Sequence, residues 1–206
     1  MPEDSTSQED RRTDIELMLR VRGGDLHALG LLFTRHQVKV HSWCFRTLGD
    51  ATGADDLVQE TFLRVLRFRH TFKGQSRFTT WLYRIARNVC LDHVATDQRR
   101  ASIRERALRG LPGQAGVAPA TDERRLANLE EALRRLESSK REALILSRYH
   151  DMRYDEIAAV CDSTVGAIKA RVHRAIKELR QIYRDLERED YEVRAGSTTD
   201  RRRSHR

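Results

Sequence analysis

The chain has 206 residues, of which 39% are hydrophobic and 34% charged, and its 39 Lys and Arg exceed 31 Asp and Glu to give a net charge of +8. That length holds one large or two small domains, and the heavily charged composition favours two small helical units with a polyanionic partner such as DNA, RNA or an anionic membrane surface. No apolar run approaches the roughly 20 residues of a membrane-spanning helix, so membrane insertion is not expected.

Residues 1–12 are polar and are expected to be disordered, and the start MPEDSTSQEDRRTD lacks the apolar core of a signal peptide, which predicts a cytoplasmic location. Ile15, Leu17, Met18, Leu19 and Val21 open an apolar pattern that Gly23 and Gly24 interrupt. Asp25 is placed to cap a helix from Leu26 to about Thr47, with Leu29, Leu32, Phe33, Val40, Trp43 and Cys44 at helical spacing. After a turn bracketed by Gly49 and Gly53, ADDLVQETFLRVLRFR reads as a third helix, acidic in its first turn and basic in its last, as the macrodipole favours. His70 to Arg77 reads as a loop. Phe78 to about Ala95 resumes helical periodicity through Trp81, Leu82, Ile85, Val89 and Val94, with Phe78 and Trp81 assigned to the core.

These four helices make a first domain over residues 13–100. The stretch 108–123, rich in Gly, Pro, Ala and Thr, has no apolar face, so residues 101–122 are assigned to a flexible linker. Helical patterning returns through Leu126, Leu129, Leu133 and Leu136, then Ala143, Leu144 and Leu146, and a second domain spans 123–187. Residues 188–206 are expected to form a basic disordered tail. The predicted fold class is all-α: two small helical domains joined by a flexible linker.

Between Tyr154 and Arg180 two short amphipathic patterns flank a tight turn, the layout of a helix-turn-helix DNA reader. At about 100° per residue, Val165, Ile168, Val172, Ala175, Ile176 and Leu179 share an inward sector. Ser163, Gly166, Ala170, His173, Arg174 and Lys177 point outward, flanked by Lys169 and Arg171. Cationic groups around small residues would let the helix backbone approach a major groove.

Two more motifs, ADDLVQETFLRV at 54–65 and RFTTWLYRIARNVCLDH at 77–93, join YDEIA and VGAIKARVHRA. With these in order, the chain resembles bacterial sigma factors of the extracytoplasmic-function (ECF) group. The resemblance implies a subunit that binds core RNA polymerase and directs promoter recognition, DNA melting and transcription initiation, with promoter DNA and an anti-sigma factor as further partners. It implies no enzyme activity and no cofactor. Asp56, Leu57, Gln59 and Glu60 match the family's polymerase-binding helix. For the downstream promoter element the resemblance points to Phe72, Lys73, Gln75 and Arg77, then Arg84, Arg87, Asn88, Asp92, Arg99 and Arg100. For the upstream element it points to Ser163, Thr164, Gly166, Lys169, Arg171, His173 and Arg174. Two departures stand out: Ala167 replaces a usual threonine, and Asp162 replaces the glycine usual in the turn.

Two other readings compete. A freestanding helix-turn-helix regulator, with residues 13–100 as an input domain, would bind its operator without polymerase. A helical metal hydrolase would draw on His36, His41, Asp92 and His93, although these form no recognised ligand motif. The three cysteines include no Cys-x-x-Cys pair and read as reduced thiols. His41 with Cys44, and Cys90 with His93, have the three-residue spacing that could supply metal ligands.

Overall fold

A computed structural model describes residues 3–48, 53–105 and 121–203, with side chains described over 13–48, 53–96 and 124–191. The described residues form eight α-helices and no strand: α1 (Glu3–Arg22), α2 (Leu26–Leu48), α3 (Ala54–Arg67), α4 (Phe78–Glu105), α5 (Thr121–Arg135), α6 (Ser138–Tyr149), α7 (Tyr154–Val160) and α8 (Val165–Arg203). A short 3-10 turn, Arg69–Thr71, follows α3.

The helix starts follow local chemistry. Asp25 Oδ1 accepts the Ala28 N–H at 3.1 Å and caps α2, after Gly24 has turned the chain at a φ of 100°. Along α2, Ala28, Leu32, His36, Val40, Trp43 and Cys44 are buried, a stripe at helical spacing. The histidine in that stripe is satisfied from α1: His36 Nε2 lies 2.8 Å from Asp14 Oδ2, and Arg35 binds the other oxygen. Burial alone would push the Asp14 carboxyl up, but His36 and Arg35 together hold it below its ordinary value.

α3 turns Leu57, Val58, Thr61, Phe62 and Val65 inward. α1 to α4 pack around Met18, Val21, Leu32, Trp43, Phe72, Phe78 and Leu82, all buried. In the second half, Glu137 caps α6 by accepting the Ser139 N–H at 3.0 Å, and Glu156 Oε2 accepts the Arg153 N–H at 2.9 Å at the start of α7. The two halves also touch each other: α4 packs on α7, and α2 on α5 and α6. Their buried apolar side chains therefore merge into one contiguous cluster.

The helices run further than the apolar pattern predicts. α1 begins at Glu3, inside the segment expected to be disordered, α4 enters the expected linker as far as Glu105, and α8 runs through the expected tail to Arg203. None of these extensions contains proline and only Gly196 is a glycine, so the backbone ladder can continue where no buried face announces it. The centre of the expected linker, residues 106–120, lies outside the described residues.

Candidate nucleic-acid interface

The turn between α7 and α8 is made by Cys161 to Thr164. Asp162 takes the left-handed conformation at a φ of 48°, which aspartate tolerates better than most residues, so the turn forms without the usual glycine. Ser163 N–H donates to the Ala158 carbonyl at 2.9 Å, and the Thr164 hydroxyl accepts the Ala167 N–H at 3.2 Å, capping α8. Ile168, Val172 and Ala175 are buried, and Ile176 and Leu179 pack at the edge of the core. Val165, expected to face inward, is 40% exposed, because the first turn of α8 projects past the core that covers Ile168.

Thr164, Gly166, Lys169, Ala170, His173, Arg174 and Lys177 are exposed, while Ser163 and Arg171 are half-buried. A Cβ added at Gly166 would meet nothing within 4 Å, so this face is open to a groove floor. Beside it runs an open basic groove lined by Lys140, His173, Arg174, Lys177, Arg180 and Arg184. Lys140, Arg180 and Arg184 lie outside the motif VGAIKARVHRA. The spacing of four, three and four from His173 through Lys177 and Arg180 to Arg184 could have found two of them, but Lys140 arrives from α6, where its Nζ pairs with Glu178 at 2.6 Å.

On α3, Asp56 and Gln59 are exposed and Glu60 is half-exposed. Leu57 is not part of that outer face: it is 5% exposed and packed in the core, because it lies on the inward stripe with Val58 and Thr61. Glu60 accepts from Arg64 Nε at 2.7 Å, and the other end of the same guanidinium reaches Asp92 of α4 at 2.7 Å. The two carboxylates raise the Arg64 pKa, so the outer faces of α3 and α4 are joined by one shared cation.

In the loop before α4, Lys73 and Gln75 are exposed around Gly74, whose φ is 70°. Phe72, expected to meet DNA, is instead 1% exposed and stands edge-on to Phe78 and Trp81, with ring centroids 6.1 and 5.3 Å away. The loop folds back over the helix it precedes, and burying an aromatic ring outweighs exposing it. Phe78 is buried and Trp81 packs against the same core, as expected.

Asn88 and Asp92 are exposed. Arg99 and Arg100 lie on α4, with their side chains outside the described residues. The three arginines nearer the start of α4 face the second half of the chain. Arg77 Nη1 lies 3.3 Å from Glu156 Oε1, Arg84 Nη2 lies 3.0 Å from Asp162 Oδ1, and Arg87 Nε lies 2.9 Å from Glu142 Oε1.

Family profiles match this chain in two places: Sigma-70 region 2 over residues 32–100, and Sigma-70, region 4 over residues 126–179. RNA polymerase sigma-H factor of Pseudomonas aeruginosa is 30% identical, over 85% of this chain and 96% of its own. The ECF RNA polymerase sigma-E factor of Salmonella typhi is 36% identical, over 79% of this chain and 90% of its own. The chain belongs to the ECF group of RNA polymerase sigma factors. RNA polymerase sigma factor CarQ of Myxococcus xanthus is 33% identical to this sigma factor, over 84% of it and 98% of CarQ. Among solved structures, CnrH in complex with the cytosolic domain of CnrY superposes with a TM-score of 0.62 at 26% identity, covering 82% of this chain and 96% of that one. The sigma factor RpoE of Bartonella quintana, in complex with the anti-sigma factor NepR, gives 0.59 at 25% identity, over 75% and 93%.

Between the two halves of this sigma factor, Tyr83 of α4 and His150 share a hydrogen bond of 2.7 Å through Nδ1, and Arg46 of α2 lies 4.3 Å over the Tyr149 ring. Burial pushes His150 down to about 4, and Lys39 and Arg46 push the same way against Asp151. If the halves part, His150 returns toward its ordinary 6.5, so the contact is at full strength above about 6.5 and loses it as pH falls toward 4. Glu142 works with the opposite sign, since burial raises its carboxyl more than Arg87 lowers it. Acid titration followed by small-angle scattering should show expansion in that window. A His150→Gln variant should not expand there; expansion of equal size in that variant would assign the effect to another group.

The four residues with metal-ligand spacing do not come together. Cys44 and Cys90 meet at a sulfur separation of 3.7 Å, but His41 Nε2 turns to Asp55 at 3.5 Å and His93 lies against Gly53. Of the hydrolase candidates, His36 is taken by Asp14 and Asp92 by Arg64. Among the described residues no three His, Cys, Asp or Glu side chains are grouped to hold a metal. All three cysteines are buried: the Cys90 thiol is pushed upward by its hydrogen bond to Cys44 and by burial, and Cys161 is pushed up to about 12 by burial.

Proposed function

We propose that this sigma factor binds core RNA polymerase through the outer face of α3, at Asp56, Gln59 and Glu60, and reads promoter DNA with two separate surfaces. α8 enters the major groove of the upstream element, with Lys169, His173 and Arg174 at base edges or phosphates, and with Arg171 and Ser163 at its margin. Thr164 serves chiefly as the helix cap. Lys140, Lys177, Arg180 and Arg184 extend the phosphate track beside it. The downstream element is held by Lys73, Gln75 and Arg77 of the loop and by Arg84, Arg87 and Asn88 of α4, with Arg99 and Arg100 further along the same helix. Opening DNA costs on the order of 1.4 kcal/mol per stacked step, which cationic side chains help offset by holding the separated strand.

The protein acts in the cytoplasm as an initiation factor without catalysis of its own, and an anti-sigma factor holds it inactive, a reading supported by the complex of RpoE with the anti-sigma factor NepR. The observation that carries this reading is the outward basic face of α8 in a chain whose two matched segments are sigma-70 regions 2 and 4. Run-off transcription with purified core polymerase on a random-promoter library tests it. Transcripts should start downstream of a common pair of elements, and only when this protein is added. Arg174→Ala should lower output about 10- to 100-fold on promoters selected for one upstream sequence, consistent with about 1–3 kcal/mol per specific contact. Tight operator binding without polymerase, and no stimulation with it, would leave a freestanding regulator instead.

A further inference from the structure

α1 takes no part in the surfaces assigned above, yet one side of it lies against the loop that carries Lys73 and Gln75. Asp14, Leu17, Met18 and Val21 are buried at helical spacing, which seats α1 on α2, on the short 3-10 turn and on α4. From the margin of that stripe the half-buried Ile15 reaches the loop: a Cβ added at Gly74 would stand 3.7 Å from Ile15 Cγ2, an ordinary contact distance. Its neighbour Asp14 bears on the ends of the loop. Asp14 Oδ2 lies 2.8 Å from His36 Nε2, the His36 ring stands 5.3 Å from the Phe78 ring, and Phe78 stands edge-on to Phe72 at 6.1 Å. Phe72 and Phe78 flank the loop, so α1 meets its middle through Ile15 and its two anchors through Asp14.

We propose that α1 is the seat of this loop, with Ile15 and Asp14 as positioning residues that hold Lys73 and Gln75 where the separated strand passes. This role rests on the assignment of the loop to the downstream element. Gly74 is the reason a seat is needed. Its φ of 70° lies in the left-handed region, and glycine enters other regions as readily, so the backbone between Lys73 and Gln75 does not fix their directions by itself. A side chain packed against that glycine removes the alternatives. Isoleucine suits the task, because its branched Cβ leaves essentially one rotamer in a helix and presents a stiff surface. Asp14 is held by Arg35 as well as His36, and Asp14 and His36 are each 5% exposed. α1 therefore cannot slide along α2 without leaving a buried carboxylate unpaired. A loop that must be ordered at the moment of binding weakens the complex, and one already ordered avoids that loss.

The test uses the full chain with core polymerase and one selected promoter in two forms: fully duplex, and with non-complementary strands across the downstream element so that no melting has to be offset. Ile15→Ala should lower initiation on the duplex form about five- to tenfold, the effect of one unordered contact, and on the pre-opened form by less than about twofold. Discrimination against a substituted downstream element should fall with it. Ile15→Val, which keeps the branched Cβ, should behave as the parent, and Asp14→Asn should reproduce the Ile15→Ala pattern. The control is Leu48→Ala, a truncation of a partly buried side chain beyond His36 on α2, about 18 Å further along by helical rise. Thermal unfolding places both truncations on one stability scale, and Leu48→Ala should affect the two promoter forms alike. Equal loss from Ile15→Ala on both forms assigns the residue to stability and overturns the seat. Lys73→Ala separates the two layers of the reading. If it loses discrimination while Ile15→Ala keeps it, the seat falls and the loop retains its assignment; if neither loses it, the loop does not hold the downstream element and the seat falls with it.

Discussion

Replacing Asp56 and Gln59 together by alanine should reduce transcription at least 100-fold on every promoter while leaving the fold intact. Both side chains are exposed in the first two turns of α3, and the opposite side of that helix, from Leu57 to Val65, holds it in the core. Exposed substitutions away from special features usually shift stability by no more than about 0.5 kcal/mol. Removing one member of a buried, hydrogen-bonded charge pair at an interface costs about 2–5 kcal/mol, enough for a roughly 30- to 5,000-fold loss of complex. The measurement is a titration of core polymerase with the variant, followed by run-off transcription on two unrelated promoters. A variant that still saturates polymerase at the parent's concentration would move the docking face elsewhere on the molecule. Loss on one promoter and retention on the other would assign these residues to DNA.

Phe72→Ala should act through stability and not through selective loss of DNA contact. The ring is 1% exposed and packs edge-on to Phe78 and Trp81 beneath the loop that carries Lys73 and Gln75. Truncating a buried phenylalanine typically costs about 3–5 kcal/mol, through lost transfer energy and the cavity left behind. For a chain of this size that corresponds to a fall of roughly 6–20 °C in Tm. Lys73→Ala should do the reverse, leaving Tm within about a degree or two while weakening retention of single-stranded DNA. Thermal unfolding of the two variants beside anisotropy binding separates them. A Phe72→Ala protein that melts with the parent but no longer holds DNA would put the ring at the nucleic acid after all.

What the sequence made legible follows from the range of each signal. The Asp25 cap, the α2 stripe ending at Trp43 and Cys44, and the buried side of α8 at Ile168, Val172 and Ala175 are set by spacings of three and four residues, which a linear reading can see. Phe72 escaped that reading because it sits among polar loop neighbours, and its burial is decided by Phe78 and Trp81 from the following helix. Leu57 belongs to the polymerase-binding motif by resemblance, although its own helical period turns it inward. The contacts that join the two halves were beyond reach for a different reason. Arg77 and Glu156 stand 79 positions apart, Arg84 and Asp162 78, and Arg87 and Glu142 55, and no periodicity links residues at such separations. Asp162 departs from the glycine usual in the turn, but its partner is set only by the packing of α4 against α7.

The apolar residues of the two halves form one body, running without a gap from Trp43 and Tyr83 to Leu133, Leu146 and Ile157. Parting the halves must therefore wet oily surface, and water resists that whatever the arginines are doing. The isolated protein should accordingly melt in one cooperative step, and a variant locked apart should be sticky and short-lived in solution. Spreading across a promoter then becomes the business of a host large enough to shelter what separation lays bare, so near neutral pH the polypeptide takes its extended shape only in company.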